Sequence, residues 1–180
     1  MNSKYMHLKA AVCSLAATML LFLADQYTKL LAVRYLKDQA SVVLIPGVLE
    51  LKYLENRGAA FGILQNQYWL FAVLTIIYLA VVLYVFLKLP KTGYYVPVLV
   101  VLVMLTAGAL GNFYDRFTNH YVVDFIYFSL IDFPIFNVAD IYVVVSVLLF
   151  LLLYLFHYKE EDFSFLFHEK QSAGNSRKKE

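Results

Sequence analysis

Residues 94–114 read YYVPVLVVLVMLTAGALGNFY, a run with no charge from end to end. About 20 predominantly apolar residues carry a helix across a bilayer. The run therefore predicts a membrane-crossing helix, with Pro97 in its first turn, where the missing N–H costs little. Three other stretches read the same way: about 10–36, uncharged as far as Ala24; 68–87; and 137–156, charged only at Asp140 near its start. The whole chain agrees. It is 62% hydrophobic and 16% charged, with a mean hydropathy of +0.66. A soluble domain is nearer half apolar and a quarter charged. Helices are the form expected, because in lipid every backbone polar group must be satisfied internally. The expectation is an all-α membrane protein of four transmembrane helices over residues 1–158, followed by a polar cytoplasmic tail at 159–180.

Orientation follows from the basic residues that flank the spans. Lys4, Lys9, Lys88, Lys91, Lys159, Lys170, Arg177, Lys178 and Lys179 all fall on one side. Both termini are expected in the cytoplasm, with the two longer connections on the outer face. The first of these holds Val42-Val43-Leu44-Ile45, the turn signal Pro46-Gly47, and then the partly alternating Val48 to Tyr53. A small β-cradle over about 41–55 is predicted, with His120 to Phe128 as a further short strand. Asn56 to Gly62 is small and Gly-rich, a tight turn or re-entrant piece. Neither a repeat nor a second domain is visible. The net charge of +2 gives no reason to expect nucleic acid as a partner. The single cysteine, Cys13, rules out an internal disulfide and reads as a small buried hydrophobe. It is not a lipid-attachment site, because too few apolar residues precede it to form a signal core.

Polar residues then gather at one level. Asp25 stands about 24 Å along the first helix from Lys9. Asn112 closes the third helix, Asp124 lies in the second outer connection, Asn137 and Asp140 open the fourth helix, and Asn56 comes from the first outer connection. Carboxylates beside a hydrocarbon layer are expensive to keep, so a site at the outer boundary is the default expectation. Ordinary readings stand beside it. Asp25 and Lys29 form an i, i+4 pair that can simply brace the site. Asn137 is a candidate N-cap, Asn56 and Asn112 can satisfy helix ends, and Asp115 with Arg116 is a candidate ion pair. Arg116 can equally hold a peptide carbonyl through its planar fork. Asp132 reads as a solvated loop residue. Asp124 and Asp140 are the hardest to explain blandly. Two carboxylates brought together share one proton, so one can activate water while the other polarises a carbonyl.

Other chemistries lack their parts. H-E-x-x-H and G-x-S-x-G are both absent, and of the four histidines only His120 lies outside. The outer acids can be imagined on Mg²⁺, in a phospholipid transferase, although such sites usually engage a phosphate. A proton-coupled transporter is the other rival, but it would place its acids near the midplane.

Five motifs carry a resemblance: Asp25-Gln26-Tyr27-Thr28-Lys29, Asn56-Arg57-Gly58-Ala59-Ala60-Phe61, Gly108 to Arg116, Val122-Val123-Asp124-Phe125, and Pro134 to Asp140. In this order, on four helices, they resemble the bacterial lipoprotein signal peptidases, the signal peptidase II family of aspartic membrane proteases. The resemblance reaches to about Phe156. It implies four transmembrane helices with a β-cradle and a short periplasmic helix in the bacterial plasma membrane. The implied activity is removal of the signal peptide from a prolipoprotein, just before its diacylglyceryl-modified cysteine. The resemblance makes Asp124 and Asp140 the catalytic pair. It places Asn56, Asn112, Arg116 and Asn137 around the substrate, and Asp25, Lys29 and Asp115 in support. Its partners are the prolipoprotein and membrane lipid; the protease is expected to act as a monomer without metal or cofactor. Phe133 stands where a Trp is common, Ile141 where a small residue is more usual, and the polar tail is long.

Overall fold

A computed structural model describes residues 3–58 and 67–166. Four helices dominate: α1 (Ser3–Leu36), α2 (Tyr68–Lys88), α3 (Val96–Asn119) and α4 (Val138–Phe156). All four are long and apolar enough to cross a membrane. Three strands, β1 (Val42–Ile45), β2 (Leu49–Asn56) and β3 (Val122–Phe128), form one antiparallel sheet in the order β1-β2-β3. The expected architecture is the one observed. The short helix is not seen among the described residues of the sheet end, which show only a 3-10 turn at Ser129–Ile131. The expected turn at Asn56–Gly62 lies partly outside the described residues, as does the tail beyond 166.

Two helix boundaries differ from expectation. α1 begins near Ser3 rather than about residue 10, so Lys9 lies inside it. α3 continues through the polar Asp115-Arg116-Phe117-Thr118-Asn119 instead of stopping at Tyr114. It ends where His120 adopts a left-handed conformation (φ 64°), the usual way to terminate a helix.

α3 is the central helix and packs on each of the other three. Large side chains on the outer faces of α1, α2 and α4 remain exposed, among them Leu15, Leu20, Ile76, Ile77, Leu148 and Leu155. Such surface suits a hydrocarbon solvent, where Leu gains nothing by turning inward. The buried residues form two clusters. Val82, Leu89, Val98, Leu102 and Tyr158 fill one end of the bundle. Ala32, Leu36, Val123 and Phe125 join α1 to the sheet at the other. The chain does not leave the bundle after Tyr158: Glu160–Leu166 forms a 3-10 stretch that folds back, and Phe163 and Phe165 pack on the first cluster.

Small residues set the closest helix contacts. A Cβ on Gly108 would stand 2.6 Å from the Ala139 carbonyl of α4, and one on Gly111 would stand 2.5 Å from the Asp25 carboxylate of α1. Only glycine fits either place.

The sheet caps the end where α1 and α3 finish. Gly47 (φ 69°) turns β1 into β2. β2 pairs with β3 through a bulge between Leu51 and Leu54. Leu51 opposes Ile126, and the extra residue then makes Leu54, not Tyr53, oppose Asp124. Asn56 therefore lies on the face of the sheet that carries Asp124, whereas Tyr53 packs on the other face beside Val123 and Phe125.

Candidate active site

Asp124, in β3, is 2% exposed. Each of its oxygens accepts one amide: Asn56 Nδ2 reaches Oδ2 at 2.7 Å, and Asn137 Nδ2 reaches Oδ1 at 2.6 Å. Asn56 arrives through the bulge. Asn137 arrives because the chain before α4 is clamped to β3, with the Phe136 carbonyl accepting from the N–H groups of Phe125 and Ile126 and Phe136 N–H donating back to Ile126.

Asp140 sits in the first turn of α4 and is fixed by a capping box. Its N–H donates to Asn137 Oδ1 at 3.1 Å, while Asp140 Oδ2 accepts from the Asn137 N–H at 3.0 Å. Asn112 Nδ2 from α3 donates to the other oxygen at 2.7 Å. Asn112 Oδ1 in turn accepts from Asn137 Nδ2 at 3.1 Å and from Lys29 Nζ at 3.0 Å. One asparagine pair thus ties both aspartates into a single network.

Beneath it lies a buried charge cluster. Lys29 Nζ pairs with Asp25 at 2.9 Å and Asp115 at 3.0 Å, so with Asn112 all three of its donors are used. Asp25 Oδ1 also accepts the Ala139 N–H at 2.8 Å, capping a helix N-terminus whose first N–H groups have no partner inside the helix. Asp115 Oδ2 accepts the Val123 N–H at 3.2 Å and ties α3 to β3. The ion pair expected between Asp115 and Arg116 does not form. Neighbours on a helix point about 100° apart, so Asp115 faces Lys29 and Arg116 faces the cavity. Arg116 donates to the carbonyls of Asn112 (3.3 Å) and Gly58 (3.4 Å) and lies over the Phe71 ring. Asp132 is exposed and accepts from Tyr127 Oη at 2.6 Å, away from the network.

The sequence reading missed Gln26. Its amide donates to Asp25 at 3.1 Å, Asp115 at 3.2 Å and the Gly111 carbonyl at 3.3 Å. Its adjacency to Asp25 in the first motif was the available signal.

A cavity of about 400 Å³ opens over the pair. Asp124, Asp140, Asn56 and Arg116 form its polar side, and Phe133, Pro134, Phe136, Ile141, Val144 and Val145 much of its apolar side. Burial, with the charge of Asp140 adding to it, pushes the Asp124 carboxyl up to about 7, against the opposing hydrogen bonds from Asn56 and Asn137. Among the described residues no three histidines, cysteines or acids converge as a metal-ligand set.

A four-helix membrane bundle with two aspartates on the wall of a largely apolar cavity suits an aspartic membrane protease, which is the class of the family that this chain matches. The model of the family described as signal peptidase (SPase) II matches residues 17–156, and the chain belongs to that family. It is 40% identical over 131 residues to the lipoprotein signal peptidase of Streptococcus agalactiae serotype Ia, covering 73% of this chain and 84% of that protein. It is 41% identical over 138 residues to that of Streptococcus thermophilus strain CNRZ 1066, with 77% and 87% covered. A solved structure described as a bacterial membrane enzyme, obtained by the in meso method, superposes with a TM-score of 0.71 at 36% identity. That match covers 82% of this chain and 92% of the other.

Proposed function

We propose that this protease removes the signal peptide of diacylglyceryl-modified prolipoproteins by means of water activated between Asp124 and Asp140. The observation that carries the reading is the joint anchoring of the two carboxylates by Asn112 and Asn137 at the wall of one cavity. The pair shares one proton, and burial raises Asp124 toward holding it. Ionised Asp140 takes a proton from water, and the water oxygen bonds to the scissile carbonyl carbon. Asp124 gives its proton to the carbonyl oxygen as the tetrahedral species forms. When the C–N bond breaks, the proton now on Asp140 passes to the leaving amine, and the diol O–H returns a proton to Asp124. Arg116 keeps N–H donors beyond its two long backbone contacts, and these suit a substrate peptide carbonyl.

Four lysines, Lys9, Lys88, Lys91 and Lys159, flank the spans at the end away from the sheet, which supports cytoplasmic termini and an outward-facing site. The substrate's acyl chains then stay in the outer leaflet while its peptide lies beneath the sheet.

The test is mass spectrometry of a diacylated prolipoprotein incubated with purified protein, with and without EDTA. Wild type is expected to cleave before the modified cysteine in both conditions. Asp124→Asn and Asp140→Asn are each expected to lower the rate by at least about a thousandfold while still inserting, since each removes a proton-transfer group. Substantial cleavage by both variants would overturn the dyad. Complete loss of activity in EDTA would point to metal chemistry instead.

A further inference from the structure

At the end of the bundle away from the dyad, α1 and α3 do not close on one another. A groove of about 660 Å³ runs between them. Its walls are apolar, with Ala10, Ala17 and Leu21 from α1 facing Leu99, Val103 and Met104 from α3. Lys9 and Lys91 stand at its mouth.

Lys91 has no counter-ion among the described residues. Its Nζ donates to the carbonyls of Leu89 (2.8 Å) and Phe86 and lies 4.3 Å from the centre of the Phe86 ring, contacts that leave its charge without a neutralising carboxylate. No acid among the described residues pairs with it, and burial pulls its ammonium below the ordinary lysine range. Lys9 is exposed and lines the same groove. The two positive charges and the apolar trough call for a ligand with an anionic head and a hydrocarbon chain.

Charge and length point to a lipid. Lys9 to Leu21 spans about 18 Å of α1, close to one leaflet of a hydrocarbon layer about 30 Å thick. An acyl chain of one leaflet's length matches the trough, and the lysines at its mouth match an anionic head. Basic pockets between transmembrane helices are also a recurring way to hold phospholipid headgroups.

We propose that this groove binds one anionic phospholipid, its phosphate between Lys9 and Lys91 and one acyl chain along α1 and α3. The groove reaches as far as Tyr142, two residues beyond Asp140 in α4, so the lipid packs against the helix that carries the site.

The full-length protein is released from micelles holding equal amounts of dioleoylphosphatidylglycerol and dioleoylphosphatidylcholine and weighed by native mass spectrometry. One phosphatidylglycerol per chain is expected in clear excess over phosphatidylcholine. Lys9→Gln is expected to reduce that preference about fivefold, the effect of one lysine at a membrane surface. Ala17→Phe, which fills the trough, is expected to remove retention of the lipid. Lys91 is left intact because its bonds to Phe86 and Leu89 hold the end of α2. Cys13, exposed rather than buried as its apolar setting in the sequence suggests, lines the groove and is the chain's single cysteine, so whole-protein mass after maleimide treatment reports this place alone. Phosphatidylglycerol should slow its alkylation and phosphatidylcholine should not. Equal retention of the two lipids, or a preference and a Cys13 protection unchanged in both variants, would overturn the proposal. Protection of Cys13 by an apolar signal-like peptide but not by phosphatidylglycerol would also overturn it.

Discussion

Asn56 and Asn137 each aim an amide N–H at Asp124, and both favour its ionised form. Burial and the charge of Asp140 work the other way and prevail, leaving the carboxyl near 7. Two consequences have definite signs. The folded protein binds a proton at Asp124 that the unfolded chain, near 3.8, has released, so this group's contribution to stability falls as pH rises from about 4 to about 7. If Asp124 must be protonated to polarise the scissile carbonyl, kcat/KM also falls on the alkaline side of about 7. Asn56→Ala removes a bond that lowers the Asp124 value, so its alkaline limb should move to higher pH even as the rate drops; a full pH profile of cleavage would show this. Below, Asp25 balances Lys29 and caps α4 with no exposure to solvent. Truncating one partner of a buried ion pair leaves the other uncompensated, so Asp25→Ala should lose roughly 3–5 kcal/mol in denaturant or thermal unfolding in detergent. These carboxylates were legible in the sequence because acids beside hydrocarbon demand a reason. Gln26 was not, since a neutral amide on a helix carries no such cost and its three acceptors lie on two helices that only the fold brings together.

Elements were legible where their apolar period was unbroken and less so where polarity and bulges intervened. The four spans stand out by length alone. The last turns of α3 did not, because Asp115, Arg116 and Asn119 resemble a loop until Lys29 and the β3 backbone supply their surroundings. Strict alternation along β2 from Leu51 puts Tyr53 and Glu55 on the Asp124 face. The bulge reverses this and delivers Asn56, and no local pattern announces it. Glu55 instead meets Lys37 at 3.1 Å and Arg57 at 2.8 Å, and these partners hold its carboxyl below the ordinary range. The small residues of α3 matter as much as its polar ones. A methyl on Gly111 would press on the Asp25 carboxylate, so Gly111→Ala should insert normally but lose both thermal stability and cleavage rate. An outward substitution on the same helix, Val100→Ala, should leave both nearly unchanged; equal behaviour of the two variants would mean that α3 and α1 are less tightly seated than the contact implies.

Across the whole molecule, the cleft and the Glu160–Leu166 stretch sit at opposite ends of one helix, about 24 Å apart from Val96 to Asn112. That stretch is latched there. Tyr94 Oη donates to Asp162 Oδ2 at 2.9 Å, Tyr95 Oη to the Asp162 carbonyl at 2.7 Å, and Tyr84 Oη to the Leu166 carbonyl at 3.0 Å. Phe163 fills the space between Phe150, Tyr154 and Tyr158, and Phe165 lies against Tyr95. The sequence reads as a polar tail from 159 with a brief apolar patch at Phe163 to Phe167, and nothing local says that the patch packs back on the bundle. Stopping the chain after Lys159 removes these contacts from a cluster at the membrane surface, where apolar burial still counts. The loss should amount to roughly 2–4 kcal/mol for two half-buried phenylalanines. Nothing in the latch touches the network of Asn112, Asp124, Asn137 and Asp140, so cleavage measured well below the unfolding temperature should stay within about twofold of the full chain. Tyr94→Phe, which deletes a hydroxyl shared between Asp162 Oδ2 and the His157 carbonyl, should reproduce about 1 kcal/mol of the effect. A truncated protein that keeps its unfolding temperature would show the latch to be decorative. One that loses cleavage while remaining folded would show that the two ends of α3 communicate.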